Sequence, residues 1–503
     1  MESFPQFDEI YVVSDLHLGG VPGFQIFGSG KELGALINHI RDRPASRVAI
    51  VINGDSVDFL AEPGARYFDP KGANDKLDRI VGDASFKPVF DALKEFLDRV
   101  NRHLIITLGN HDVELALPWV RSHFVELLAG NSDAARGRIT LSMDGTGYAC
   151  SVGGASVLCI HGNEVDTWNV TDYERLRRSA RDCVQGRSME DWTPNAGTKL
   201  VIDVMNGIKR TYPFVDLLKP EVEAVVPVLL ALDPGQLPKL SRIMAVATRL
   251  GWDTVRRMTG FLSAGEAPEP GFVAIDRQAE EESASTAAIE HLLNRTFAHQ
   301  DDSHAASESR ELMNEVENMF NKRTDPLALV APGRSAEMLG GFSAAWDWIS
   351  GRPRNEVLRE ALEKLKEDRT FDVRNADSPY RRIDELVGSG FDYVITGHTH
   401  QERVLARSRG RGMYFNTGTW VALMNFSEKQ LFSATEFASL FTVLESSRTI
   451  AALELYPGLV ERKPAVVCIT QEGGVVQALL KRVTLPGDGV LSLTEVQGEQ
   501  VKS

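Results

Sequence analysis

Cysteine is scarce in this 503-residue chain: Cys150, Cys159, Cys183 and Cys468 are the only four, and none form a CxxC pair. That argues against a disulfide framework and leaves buried free thiols as the expectation. No uninterrupted apolar run reaches the ~18–20 residues that span a bilayer. The opening Met1-Glu2-Ser3-Phe4-Pro5 has neither the basic nor the apolar region of a secretory signal, so a cytoplasmic location is expected. Net positive charge is missing too. With 55 basic and 70 acidic residues the formal charge is −15, which disfavours a sequence-independent nucleic-acid binder. What remains is an ordinary globular composition, 43% hydrophobic and 25% charged. The length suits roughly three domains at ~150 residues each.

The first third alternates strand-like and helix-like segments. Glu9–Ser14, Arg47–Asn53 and His103–Leu108 read as strands; Glu32–Arg41, Phe86–Arg102 and Glu114–Leu128 read as helices. Three short β-like runs follow between Arg136 and Ile160, with Asp144–Gly147 and Gly153-Gly154 as hairpin signals. Residues 162–397 are mostly helical in pattern. Tyr173–Gly186, Pro220–Leu232, Leu237–Leu250, Asp253–Leu262 and Asn355–Asp368 are the clearest cases. The stretch 264–307, with its Pro-, Glu- and Ser-rich pieces, suits a linker or an exposed helix edge. Alternation resumes with a helix at Arg381–Val387 and β-like runs at Phe391–Thr396, Met413–Asn416 and Leu440–Leu444. Ala465–Thr470 and Val475–Val483 then form a hairpin pattern. The expected organisation is an α/β core from 1–165 and 381–503, interrupted by a helical insertion at 166–380.

Five short segments carry the chemistry: Asp15-Leu16-His17, Gly54-Asp55-Ser56-Val57-Asp58, Gly109-Asn110-His111-Asp112, His161-Gly162-Asn163 and Gly397-His398-Thr399-His400. Each ends or follows a run rich in Val, Ile or Leu, which puts it at the exit of a buried strand, where an open sheet leaves a crevice. Asp15 and His17, two apart in one loop, suit one ion. Asp55 after Gly54 suits a bridging carboxylate, Asn110 offers a neutral oxygen, and His161, His398 and His400 offer imidazoles. Such mixed ligation suits Mn, Fe, Zn, Ni or Co better than Mg alone, with Mn favoured. A pair of such ions ~3.5–4 Å apart clamps the attacking and leaving oxygens of an in-line displacement. A lone histidine near a strand end is usually structural. Five of the eleven histidines falling in ordered motifs argues otherwise.

These motifs (D-x-H, G-D-x-x-D, G-N-H-D, H, G-H-x-H) resemble those of the calcineurin-like metallophosphoesterase superfamily over roughly 1–165 and 385–425. The resemblance implies a four-layer αββα sandwich and two divalent ions. One would be held by Asp15, His17, Asp55 and His400, the other by Asp55, Asn110, His161 and His398. It further implies in-line attack by a metal-bridging hydroxide on a phosphomonoester, phosphodiester or pyrophosphate. His111 would serve the leaving oxygen, and Asp58 would orient His111. Asp58 and Asp112 have a simpler alternative as helix caps. Asn416-Thr417-Gly418 resembles the family's closing segment, although turn geometry alone explains it as well. Phe59 and Asp112 stand where the protein-phosphatase branch carries Arg and Glu. The nearest branch is UDP-2,3-diacylglucosamine hydrolase, whose members carry a shorter helical lid at the same point.

The insertion contributes two features. Arg175, Arg177, Arg178 and Arg181 share one helical stretch near His161, so Arg175 and Arg178, with Asn163, are candidates to meet a phosphate; a solvated helix face is the alternative. The basic amphipathic stretch 238–262, with Arg256 and Arg257, suits contact with a membrane surface or packing onto the core. Glu164, Asp166 and Trp168 either line the way in from the insertion or cap its first helix. The expected partner is a phosphorylated small molecule or a lipid-linked substrate. A peripheral membrane lipid-phosphate hydrolase is the first alternative, and a non-catalytic scaffold with the same fold the second.

Overall fold

The computed structural model describes residues 4–166, 168–188, 192–218, 228, 232, 353–366, 371–487 and 489–498. The stretches 238–262 and 264–307, and nearly all of 220–232, lie outside the described residues. In chain order the strands are β1 (Gln6–Phe7), β2 (Glu9–Val13), β3 (Val48–Asn53), β4 (Arg102–Thr107), β5 (Ile139–Ser142), β6 (Tyr148–Val152), β7 (Ala155–Cys159) and β8 (Tyr393–Thr396). They continue with β9 (Glu402–Ala406), β10 (Met413–Thr417), β11 (Ala422–Met424), β12 (Val460–Arg462), β13 (Ala465–Glu472), β14 (Val475–Thr484) and β15 (Ser492–Glu495).

Two sheets form the core of the first compact unit, Met1–Pro194, Arg369–Leu423 and Val460–Ser503. One has the order β15-β14-β13-β2-β3-β4-β5, the other β1-β6-β7-β8-β10-β9. Strands β2 to β5 are mutually parallel, in a register that sets Val12 beside Val51 and Val51 beside Ile105. Their side chains alternate in two directions, as a pleated strand requires. Ile10, Val12, Ala49, Val51 and Ile105 meet Cys150, Val157, Cys159, Ile395 and Phe415 of the other sheet in one buried cluster. On the opposite face, Tyr11, Val13, Ile50 and Ile52 meet Leu33, Leu36 and Ile37 of helix Gly30–Arg41 and Val89 and Leu93 of helix Lys87–Asp98. The outer face of the second sheet, through Leu158, Val394 and Tyr414, packs on Tyr380 and Ile383 of helix Ser378–Val387. The layers therefore run helix, sheet, sheet, helix. Each large aliphatic side chain so buried contributes about 1.5–3 kcal/mol relative to exposure.

The second unit comprises Asn195–Asp368 and Met424–Leu459. Within it, Arg354 of helix Arg354–Lys366 donates to the Tyr212 hydroxyl, and Arg359 donates to the Leu431 carbonyl. Met424–Leu459, expected with the core, clusters here. Leu440–Leu444 is not a strand: it lies in helix Ala434–Ser446, where the Ser433 side chain accepts from Glu436 N and caps the first turn. A five-residue apolar run does not distinguish a strand from a buried helical turn.

Two further expectations change. Glu114–Leu128 is broken at Pro118: a 3₁₀ turn at Val113–Ala116 precedes helix Pro118–Ala129, because proline cannot donate inside a helix but suits its first turn. Asp144–Gly147 is not a hairpin, since β5 and β6 belong to different sheets. Asp144 Oδ1 accepts from Thr146 N and Oγ1, a local turn that carries the chain from one sheet to the other. Gly153-Gly154 does close a hairpin, β6–β7.

Candidate metal centre

The ligand-bearing loops follow β2, β3 and β4 in one sheet and β7 and β8 in the other, and within each sheet these strands are parallel. Their carboxyl ends therefore lie on a common edge. Asn53, the last residue of β3, ties the two edges together: its Nδ2 donates to the carbonyls of Ile160 and Ile395, at 2.7 and 3.3 Å. The loops themselves are strained. Six non-glycine residues have left-handed φ among the described residues, and five are expected ligands: Asp15 (52°), His17 (47°), Asp55 (50°), His398 (67°) and His400 (59°). Such a conformation costs about 1–2 kcal/mol per residue. In Asp15-Leu16-His17 it turns two polar side chains into the site while Leu16 is wholly buried.

The polar atoms converge in two clusters, Asp15/His17/His400 and Asp55/His161/His398, linked by a third grouping, His17/Asp55/His111, each with its candidate ligand atoms within 4.8 Å of one another. Asp55 joins them. Its Oδ2 lies 3.6 Å from His17 Nε2 and 3.2 Å from His161 Nε2. In the first cluster, His400 Nε2 is 3.3 Å from Asp15 Oδ1 and 3.1 Å from His17 Nε2. The imidazole of His161 places Nδ1 2.8 Å from the Asn53 carbonyl. A carbonyl only accepts, so Nδ1 carries a proton and Nε2, facing Asp55, is the nitrogen that a cation would take once its own proton is lost. Asn110 Oδ1 is buried with no hydrogen-bond partner, an arrangement whose cost a bound cation would offset. Four imidazoles, two carboxylates and an orphaned amide oxygen suit a pair of divalent ions.

Asp58 Oδ2 lies 3.1 Å from His111 Nδ1 and 3.2 Å from His17 Nδ1. Its Oδ1 accepts from Leu60 N and Ala61 N at 2.9 Å each. Asp58 therefore reaches His111, and it caps no helix: Oδ1 closes a turn at Leu60 and Ala61 instead. Asp112 caps no helix with its side chain. Its Oδ2 accepts from Ser56 N and Oγ and its Oδ1 from Gly109 N, binding the second motif to the third. Asn416 Nδ2 donates to the Gly397 carbonyl at 2.7 Å and to Thr399 Oγ1 at 3.1 Å, bracing the last motif. Asp15 accepts from His398 N on both oxygens and from Ser14 Oγ. At Gly109 a Cβ would fall 2.1 Å from Asp55 Oδ1.

Electrostatics follow from this packing. Burial alone would raise the Asp15 carboxyl, but His400 and His161 overcome it and hold it at about 2. Burial likewise opposes ionisation of Asp55 and Asp58; His161 and His111 carry the first well below the ordinary range, and His111 and His17 do the same for the second. Burial lowers His161, yet the Asp55 carboxylate beside it carries it up to about 10. Asp112 is pushed up to about 6, first by burial and then by the charge of Asp55.

The remaining expected site residues belong to the loop and helix that follow the fourth motif. Asn163 is wholly buried, and its Nδ2 donates to the Asn169 carbonyl and Thr171 Oγ1, so its amide binds its own loop rather than facing solvent. On helix Tyr173–Val184, Arg177 pairs with Glu174 and Arg181 with Asp182, Arg178 is exposed and Arg175 is half-buried. Glu164 accepts from Gly162 N within its own turn. Asp166, left open between two roles, lies 2.7 Å from His398 Nε2. Among the described residues no helix is long and apolar enough to cross a membrane.

The family model described as calcineurin-like phosphoesterase matches residues 9–217, which hold four of the five motifs. His398 and His400 fall beyond the matched stretch and join the site through β8. No curated protein matches the chain.

Proposed function

We propose that the chain, which matches the calcineurin-like phosphoesterase family model over residues 9–217, is a member of that superfamily that hydrolyses a phosphomonoester, phosphodiester or pyrophosphate bond with two divalent cations. The observation that carries this reading is the position of Asp55 Oδ2 between His17 Nε2 and His161 Nε2, which makes one carboxylate common to both clusters. Asp15, His17, Asp55 and His400 would hold one cation; Asp55, Asn110, His161 and His398 would hold the other. Once bound, such a pair supplies Lewis acidity and an activated water. Manganese is the first ion to test.

The chain's own groups do the rest. Asp58 accepts at Nδ1 of His111, which fixes the proton there and leaves Nε2 to exchange a proton with the leaving oxygen. The same carboxylate accepts at Nδ1 of His17, leaving Nε2 of that ring as the ligand atom. The substrate class is a phosphorylated small molecule or a lipid-linked phosphate.

The test is an assay of the full chain, stripped by chelator and reloaded with Mn. The panel contains an aryl phosphate, an aryl phosphodiester, a cyclic nucleotide, a nucleotide sugar, a lipid-linked pyrophosphate and a phosphopeptide. Mn-dependent turnover of one substrate, absent from Asp55→Ala and His161→Ala, supports the reading. Wild-type metal content and rate in either variant would overturn it.

A further inference from the structure

The two imidazoles expected around the second cation are locked in opposite senses. His161 donates from Nδ1 to a backbone carbonyl, Asn53 O at 2.8 Å, which leaves Nε2 as the nitrogen for a cation. His398 has Nε2 2.7 Å from Asp166 Oδ2. A carboxylate only accepts, so this nitrogen carries the proton and Nδ1 keeps the lone pair. Backbone geometry supports that orientation, because His398 N is itself fastened to both oxygens of Asp15, at 3.0 and 2.9 Å. The ring hangs from a strained residue, φ 67°, between two carboxylates.

Asp166 is in turn held from its own loop. Its Oδ2 accepts from Asn169 Nδ2 at 2.7 Å and its Oδ1 from Trp168 N at 2.9 Å. Oδ2 thus accepts from both Asn169 and His398, while Oδ1 is held by the backbone of Trp168. The loop is fastened at its base by Asn163, whose Nδ2 bonds to Asn169 O and Thr171 Oγ1. Glu164, two residues before Asp166, is spent on Gly162 N and stays within its turn.

We propose that Asp166 is a positioning residue of the second cation site, fixing His398 with Nδ1 as the ligand atom by accepting the Nε2–H hydrogen bond. The inference rests on the two-cation reading above. It ties the loop that follows the fourth motif to the histidine of the fifth, more than two hundred residues later in the chain. An outer carboxylate of this kind orients the ring and raises its basicity, and losing one typically costs ~10–100-fold in metal affinity. The effect should fall on one cation only, because Asp166 touches none of Asp15, His17 or His400 in the contacts above.

The test compares wild type, Asp166→Ala, Asp166→Asn and Asn169→Ala as metal-free full chains. Mn uptake is followed by elemental analysis and calorimetry, and the coupled Mn pair by electron paramagnetic resonance. Asp166→Ala should keep one tight Mn, bind the second ~10–100-fold more weakly and lose the coupled-pair signal at stoichiometric Mn. Asp166→Asn retains an accepting oxygen and should fall between Ala and wild type. Asn169→Ala removes one donor to Asp166 Oδ2 but leaves the carboxylate and its Trp168 N contact, and should weaken the second ion less than Asp166→Ala does. Two equivalents bound by Asp166→Ala within twofold of wild type would overturn this assignment while leaving the two-cation reading intact. An equal loss in Asn169→Ala would overturn it in favour of simple loop integrity. A wild-type chain that never takes up two ions would remove the two-cation reading and this inference together.

Discussion

Replacing Asp58 by asparagine and by alanine separates what its two oxygens do. Oδ1 accepts from Leu60 N and Ala61 N, and Oδ2 faces Nδ1 of both His111 and His17. Asparagine can keep the first pair of bonds but presents an NH₂ group where Oδ2 stood. Two donors cannot share a hydrogen bond, so each imidazole must move its proton to Nε2 or rotate away. For His17 a protonated Nε2 has no lone pair for a cation; for His111 the proton-transfer atom changes state. General acid–base contributions run to ~10²–10⁴-fold, and a wrong tautomer forfeits them. We therefore expect kcat of Asp58→Asn to fall by ~10²–10⁴-fold, with Tm of the metal-free chain within about 3 °C of wild type. Alanine also strands the two backbone N–H groups, at ~1–3 kcal/mol each. It should lower the metal-free Tm by about 5–10 °C besides losing activity. The assays are steady-state turnover with Mn and thermal denaturation after chelation. Wild-type turnover in Asp58→Asn would refute the tautomer argument. Equal Tm losses in both variants would refute the division of labour between the oxygens.

Gly109→Ala should place a Cβ 2.1 Å from Asp55 Oδ1 and 2.4 Å from Asp55 N, displacing the shared carboxylate. It should cost about 1–3 kcal/mol in stability and reduce Mn content below two per chain, as elemental analysis would show; unchanged content contradicts this. In the metal-free chain, His161 is raised to about 10, so its stabilising contribution is complete below ~6.5 and is lost as pH rises through about 10. Asp15, lowered to about 2, contributes above ~4 and loses that contribution as pH falls toward about 2. The metal-free Tm should thus fall between pH 6.5 and 10. The loaded protein, with His161 neutral, should not show that fall, and Mn uptake at neutral pH should release protons. A metal-free Tm constant across pH 6.5–10 would contradict the Asp55–His161 pairing.

The parts of the site visible in the sequence are those announced by neighbours in the chain. Val48–Asn53 is uniformly apolar until its last residue, so the strand and the loop bearing Asp55 are read together. Apolar runs in β2, β4 and β8 likewise lead into the loops that follow them. Parts that depend on distant partners are silent. Nothing near Asp166 points to His398, and nothing near Asn53 points to Ile160 and Ile395. Asp112 resembled a helix cap because a short polar residue before a helical pattern commonly is one; its three donors come from Gly109 and Ser56. The left-handed φ of Asp15, His17, Asp55, His398 and His400 contradicts local preference, and packing around the site must enforce it. The grouping of Met424–Leu459 with the second unit is likewise a matter of tertiary contacts.

The most direct test of the central claim is a Mn titration of the chelator-stripped full chain, with bound metal and turnover of the best panel substrate read on the same samples. The clusters joined by Asp55 predict two equivalents bound, turnover that rises with the second equivalent, and loss of both in Asp55→Ala. Hydrolysis that persists in the metal-stripped chain, or that survives intact in Asp55→Ala, would contradict it.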